Sequence, residues 1–494
     1  MARVRKVGVA THALHVFSGL LGMTLVVCVF LWTYLPSQDL HPIGHPLDTL
    51  NVLYHDAIKP PHELLVAKKE NRIHESFHEG GATEPHYYMV FSTDCSLYQD
   101  WQSYLFFFYA KKVGQAGTVT RIVSGCKESD RKLLQKFHDE KIAVMSDAFK
   151  IHFAPKCPDS RSKYFNKPYG LRDFMEKVLG YPNNKHDDDI IMIVDPDMML
   201  LRPLTHKFDL RRIKWVIADA DHYDTVEHGR PIAQTYAYGS TWITTLGLNA
   251  SSIAGEDSPA LHLSLTDASK RYPAGPPYLA TARDMYSIAV HWTKFVLKVH
   301  DVFPKMMSEM HAYSFAAAHL KLPHQLTSSF MVSDVDCQDL EGWNFLEKVK
   351  REDACVPEAI PMKQLPYVLH YCQRFALGRW FFGKHKMPKK FFDCESPLLR
   401  EPSYDTAAKY DWYLLPNGKD VSVYTKKPFR ILQNGWAMCR MIQSLNEVAV
   451  DYKTKYCPKD SINLDKSFIF HKSADFEAFL GGDVPALVLE RYDH

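Results

Sequence analysis

Residues 186–203 read HDDDIIMIVDPDMMLLRP. The apolar run 190–194 has the length and character of a buried strand, and it leads straight into two carboxylates, Asp195 and Asp197, separated only by Pro196. Carboxylates are costly to hold beside a core unless something positive meets them there, and a metal ion is the natural candidate. In extended chain, residues i and i+2 project to one face, so both aspartates can aim at one point. Pro196 stiffens the turn and removes a donor that would compete for their oxygens. Mg²⁺ and Mn²⁺ commonly take one or two carboxylates plus substrate oxygens, so the spacing suits a cation shared with a diphosphate. A turn capped by two solvated aspartates is the alternative that spacing alone leaves open. Asp187, Asp188 and Asp189 read as a solvated loop.

The flanking sequence supplies a sheet for that strand. YYMVFST (87–93) reads as a strand, 97–112 as a helix ending near Gly114, and 118–125 as a second strand, which makes a βαβ unit. No GxGxxG is present, which argues against a common redox dinucleotide fold. In YFNKPYGLRDFMEKVLGY, helical spacing of Leu171, Phe174, Met175, Val178 and Leu179 follows Pro168 in a first turn, and that N-terminus is a candidate phosphate seat. KWVIADA (214–220) is a further strand candidate, 306–320 a buried helix and 429–450 an amphipathic one. The alternation predicts an α/β fold with a mostly parallel sheet whose ligands gather at the carboxyl ends of the strands.

The 59 basic and 57 acidic residues are mixed along 494 positions, so the sequence carries no polybasic field for nucleic acid. Residues 16–35 form an uncharged stretch of twenty, which at about 1.5 Å per residue matches a hydrocarbon core of roughly 30 Å. Arg3, Arg5 and Lys6 precede it and place the short end in the cytosol and the remainder in the lumen. The rival, a cleaved signal peptide, has a shorter apolar region ending in small residues, whereas this one ends in Trp32 and Tyr34. Residues 36–85 lack apolar periodicity and read as a stem. Of ten cysteines, Cys28 falls inside the apolar stretch and nine follow it, without a CxxC pair, so disulfides are expected rather than a zinc ribbon. Asn249-Ala250-Ser251 is the single N-glycosylation sequon.

Seven blocks in order carry a family resemblance: FSTDCSLYQDWQ (91–102), TRIVSGC (120–126), NKP (166–168), DPDMMLLRP (195–203), AQTYAYG (233–239), SEMHAYSFAAA (308–318) and LHYCQRFALGRWFFGK (369–384). From about Tyr87 to Lys384 the chain resembles the peptidyl serine α-galactosyltransferases and the related hydroxyproline O-arabinosyltransferases, which modify hydroxyproline-rich secreted proteins. The resemblance implies a GT-A-type fold, a UDP-sugar donor, retention at the anomeric carbon, and a late histidine, His370, completing a metal site with Asp195 and Asp197. An imidazole beside carboxylates favours Mn²⁺, with Mg²⁺ the alternative. Lys384 and Lys167, with Asn166 and Trp380, are the candidates for holding the nucleotide sugar. Glu309 is the candidate active-site carboxylate, although a glutamate in a helix's first turn also simply answers the macrodipole. Tyr236, Tyr238 and Tyr313 are candidate stacking rings or core residues. Cys95 and Cys126 follow the first strand and end the second of the βαβ unit, inside the span that the resemblance covers, and are expected to be bonded.

These readings together predict a cytosolic tail (1–15), a membrane anchor (16–35), a stem (36–85), a GT-A-like catalytic domain (86–395) and a C-terminal extension (396–494). The protein expected is a single-pass type II membrane protein of the Golgi or endoplasmic reticulum. Its expected reaction moves galactose from UDP-galactose to serine hydroxyls of a secreted hydroxyproline-rich or serine-rich acceptor. Transfer of arabinofuranose to hydroxyproline is the alternative reaction, and a catalytically inactive lumenal polypeptide-binding protein is the alternative of another class. Two departures bear on the sugar: the proline at 196, and residues 250–280, which lack a clear counterpart.

Overall fold

The computed structural model describes residues 84–468, apart from 160–161, 184–185, 218–221, 379, 389, 415–420 and 425–427. The expected cytosolic tail and anchor, the stem up to residue 83 and the chain beyond 468 lie outside the described residues. Among the described residues no helix is long and apolar enough to cross a membrane.

Strand β1 (Tyr87–Thr93), helix α1 (Tyr98–Val113) and strand β2 (Thr118–Ser124) form the βαβ unit read from the sequence, with β1 and β2 parallel. Asp100 in the first turn of α1 and Lys111 and Lys112 in the last complement the helix dipole. Gly114, at φ 71°, closes the helix by donating to the Ala110 and Lys111 carbonyls, a left-handed cap that glycine adopts without a Cβ penalty. Helix α2 (Glu128–Phe137), β3 (Phe149–Ala154), α3 (Asn166–Lys177) and β4 (Ile190–Val194) follow. Beyond the aspartate turn come β5 (Met198–Leu200), β6 (Ile232–Thr235) and β7 (Ala274–Thr281), then α4 (Ala282–Val302) and α5 (Ser308–His319). Strands β8 (Gln325–Thr327), β9 (Met331–Val332), β10 (Val368–His370), β11 (Arg374–Leu377) and β12 (Trp380–Gly383) precede the long helix α6 (Phe429–Tyr456).

The main sheet has the order β3-β2-β1-β4-β7-β6-β8. Strand β7 runs antiparallel to both of its neighbours, β4 and β6, and the remaining pairings are parallel, giving a mixed α/β fold. Burial on both faces explains why 190–194 is apolar without alternation. Ile190, Met192 and Val194 join a core with Phe106 and Phe107 of α1, whereas Ile191 and Ile193 face Leu171 and Phe174 of α3 and Trp292 of α4.

Two features of the sheet depart from the sequence reading. Residues 214–217 do not form a sheet strand; Trp215 makes one isolated bridge to Thr327 and Val216 N donates to Leu326 O at 3.0 Å, and the remainder of KWVIADA falls outside the described residues. The stretch 250–280, left without an assignment, supplies β7 near the sheet's centre. Its Pro276 and Pro277 have no N–H to give a ladder, and the β6–β7 register skips them, passing from Ala233↔Tyr278 to Gln234↔Gly275.

Cys95 and Cys126 are bonded as expected, with Cα atoms 5.4 Å apart, and Cys355–Cys439 and Cys394–Cys457 form two further bridges. Among the described residues Cys157, Cys337 and Cys372 remain thiols.

Gly275 lies beneath the Tyr236 ring so closely that an added Cβ would sit 2.1 Å from Cδ2 and Cε2. Gly275→Ala must therefore push the ring or the strand aside. The expected cost is about 1–3 kcal/mol, read as a lowered urea midpoint at unchanged m-value; an unaltered midpoint would contradict this packing.

Candidate metal centre

The site is built where β4 ends. Met198 N donates to Asp195 O at 3.1 Å, turning the chain after Pro196 so that β5 starts at once. Strand β5 pairs antiparallel with β10, His370 opposite Met198, and Tyr371 N donates to Asp197 O at 3.0 Å. That register brings a histidine more than 170 positions downstream against the turn: His370 Nε2 lies 3.2 Å from Asp197 Oδ1. Asp195, Asp197 and His370 each offer a donor atom within 4.8 Å of the other two. Asp197 and His370 are buried, and Asp195 is half-buried.

Two lysines meet the carboxylates. Lys384, directly after β12, binds Asp197 Oδ2. Lys167, in the first turn of α3, places Nζ 2.7 Å from Asp195 Oδ1 and 3.5 Å from Glu309 Oε2. Glu309 stands in the first turn of α5, where Trp292 Nε1 of α4 anchors its carbonyl at 2.9 Å.

The electrostatics follow from burial set against these partners. Desolvation raises the Asp197 carboxyl, but His370 and Lys384 outweigh it and hold the group well below the usual carboxylate range. Burial alone would depress the His370 imidazolium; Cys372 and Asp197 carry it well above its ordinary value instead. Lys167 and Lys384 lose hydration too, yet the carboxylates facing them raise both. Glu309 behaves differently: burial pushes it up to about 7, Lys167 opposes this, and Asp195 adds to it.

The residues present fit a divalent cation. Two carboxylates and one imidazole form a mixed oxygen–nitrogen set that Mn²⁺ accepts and Mg²⁺ tolerates. Glu309 Oε1, buried beside Lys167, has no hydrogen-bond partner among the described residues.

The other residues singled out in the sequence make the following contacts. Asn166 uses its side-chain oxygen to accept from Cys157 N at 2.9 Å and braces the approach to α3. Trp380 lies within the apolar core around β10–β12. Tyr238 donates to Ala274 O at 2.6 Å, and Tyr313 pairs with His324 at 2.9 Å; both are core tyrosines. Tyr236 does border the site, where burial first and then the Asp195 charge raise its hydroxyl pKa well above normal. Sequence reasoning missed Tyr98 and Cys372. Tyr98 stacks on His385 at 5.9 Å and is pushed up to about 12, by burial foremost, with Lys384 and Asp197 acting on it in opposite senses. Both residues lie inside the blocks quoted above, which is the signal that could have found them.

No family model matches the chain. Over 341 residues, 67% of this chain and 36% of the relative, it is 24% identical to a peptidyl serine alpha-galactosyltransferase of Arabidopsis thaliana. Over 340 residues, 62% of this chain and 38% of the relative, it is 23% identical to the protein of the same description from Chlamydomonas reinhardtii. The chain is a distant homologue of such proteins and spans little more than a third of their length. Among solved structures, the bifunctional glycosyltransferase WbbM aligns over 64% of this chain and 50% of its own, with 8% identity and a TM-score of 0.32.

Because Glu309 binds its proton more tightly folded than unfolded, this group's contribution to stability is full below its ordinary 4.5 and is lost as pH rises towards about 7. Glu309→Gln should remove that slope. Urea titrations at pH 5 and pH 8 should find the variant gaining on the parent by up to about 3 kcal/mol at the higher pH, less whatever Lys167 loses with its second partner. Parallel pH profiles for the two proteins would contradict the burial of an ionising carboxyl here.

Proposed function

We propose that the chain is a metal-dependent, retaining glycosyltransferase of the GT-A type that moves galactose from UDP-galactose to serine hydroxyls of hydroxyproline-rich secreted proteins. The observation that carries this reading is the convergence of Asp195, Asp197 and His370 at the carboxyl end of β4, beside two partly buried lysines. Parallel strands β1 to β4, with antiparallel β7 set between β4 and β6, support a GT-A arrangement with its ligands at that edge. The similarity to peptidyl serine alpha-galactosyltransferases supports both the reaction class and the sugar.

In this reading Asp195, Asp197 and His370 hold Mn²⁺, or Mg²⁺ in its place. The cation supplies Lewis-acid stabilisation to the departing diphosphate. Lys384 and Lys167 add fixed positive charge at the same point, in a site from which water is largely excluded. Retention needs no base on the face opposite the leaving group. Glu309, with one oxygen unpartnered and a pKa of about 7, orients the acceptor hydroxyl or steadies the positive sugar carbon. Three disulfides and the exposed sequon at Asn249 support a lumenal catalytic domain in the Golgi or endoplasmic reticulum, tethered by residues 16–35.

The test offers UDP-galactose, UDP-glucose and UDP-arabinofuranose in turn to the full chain with Mn²⁺ and a Ser-Hyp-rich peptide. Product is expected from UDP-galactose. Asp197→Asn, which keeps the shape and removes the charge, should lower turnover about a hundredfold or more while leaving the circular dichroism spectrum unchanged. Product from arabinofuranose alone would move the assignment to a hydroxyproline arabinosyltransferase. Peptide binding without turnover on any donor would favour the inactive polypeptide-binding reading, and full activity of Asp197→Asn or in chelator would end the metal mechanism.

A further inference from the structure

We propose that Lys167 and Lys384 make cation and nucleotide binding mutually dependent: each lysine holds one aspartate of the site, and a divalent cation binds well only together with a diphosphate that draws the ammonium groups away. The inference rests on the metal-dependent reading above and adds an order of assembly to it.

The argument starts from who holds each carboxylate. Asp195 is bound by Lys167 at 2.7 Å, and Asp197 by Lys384 and His370. The lysine side chains are only 11% and 17% exposed, so neither ammonium lies out in solvent where water would screen it. The four groups balance, two negative charges against two positive. A divalent cation entering by itself leaves a local excess of two positive charges in a poorly hydrated pocket and must take oxygens already engaged. A cation arriving with a nucleotide diphosphate brings at least two compensating negative charges, and the phosphate oxygens give each ammonium a new partner.

The two lysines are not equivalent. Lys167 already touches a second carboxylate, Glu309 Oε2 at 3.5 Å, and can release Asp195 without losing every partner. Lys384 has Asp197 as its one ion-pair partner among the described residues, so releasing it requires the incoming phosphate. Lys384 is therefore the stronger gate, and both lysines act as positioning residues for the charge balance.

The experiment titrates Mn²⁺ into the full chain, following free Mn²⁺ by electron paramagnetic resonance, with and without saturating UDP. In the parent, UDP should tighten Mn²⁺ binding about tenfold or more, and by linkage Mn²⁺ should tighten UDP by the same factor. Lys384→Met removes the charge and keeps the stem. It should bind Mn²⁺ alone several-fold more tightly than the parent, bind UDP more weakly and show a reduced coupling factor; Lys167→Met should shift in the same direction by less. Tighter Mn²⁺ binding on removal of a side chain is an outcome that a merely structural role does not produce. Equal Mn²⁺ affinity with and without UDP, or a folded Lys384→Met that binds Mn²⁺ alone no more tightly than the parent, would overturn the inference and leave the transferase reading standing. Absence of Mn²⁺ binding in every state would overturn the metal reading itself, and the inference with it. Should Lys384→Met fail to fold, Lys384→Gln and the parent's own coupling factor decide the matter.

Discussion

Two carboxylates placed under partial or full burial at the end of an apolar strand impose the central constraint on this protein. Breaking such a pairing by removing one partner leaves an uncompensated charge and typically costs about 3–5 kcal/mol, far more than an exposed ion pair contributes. The chain meets the demand with groups drawn from distant segments: Lys167 from α3, His370 from β10 and Lys384 from the end of β12. Each of these elements has to be held where its charge is required. The first turn of α3, which brings Lys167 to Asp195, and the small sheet β5-β10-β9, which brings His370 to Asp197, are parts of that solution.

Glu309 shows the same constraint in its other form. Its carboxylate shares Lys167 with Asp195 at the longer distance, 3.5 Å against 2.7 Å, and so receives the smaller share of that charge. Burial then dominates and its proton is held to about pH 7, while the burial of Asp197 is outweighed by two cationic partners. One pocket thus keeps one acid firmly ionised and another poised near neutrality, a separation of roles set by partner count rather than by residue type.

The sequence made some of this legible. The apolar run at 190–194 and the βαβ unit before it declare themselves by length and by flanking turns, because burial on both faces of a sheet selects continuous apolar residues. The pairing of Asp195 with Asp197 follows from the period of extended chain. His370 could not be reached that way. Its approach depends on a register, Met198 opposite His370, between strands more than 160 positions apart, and only the resemblance pointed to it. Strand β7 was hidden because Pro276 and Pro277 are signals against a central strand, and their tolerance depends on a bulge in β7 itself, opposite Ala233 and Gln234, that no local pattern announces. The opposite error arose at 214–217, where apolar content suggests a strand but the backbone makes a single bridge. Asn166, beside Lys167 in the same block, accepts from Cys157 N through its side-chain oxygen, a contact that only side-chain geometry reveals.

The position of Lys384 depends on chain that follows it. The β11–β12 hairpin ends on Lys384, and β11 leans on α6: Asn434 Oδ1 accepts from Ala376 N at 3.3 Å, and Gly435 lets the helix approach Leu377 so closely that an added Cβ would lie 3.2 Å from its Cδ2. Tyr424 donates to Ala376 O at 2.7 Å from the segment just before the helix. The Cys355–Cys439 bridge ties α6 to the stretch leading into β10, which carries His370, so one covalent link braces the supports of both groups that meet at Asp197. A sequence texture without carboxylate motifs therefore says little about distance from the chemistry. Among the described residues, those after 396 contribute none of the site's charged groups, yet Ala407, Ile431, Trp436 and Ile442 are buried in the same core as Met192 and Val194, and through β11 they fix where the Lys384 ammonium can stand.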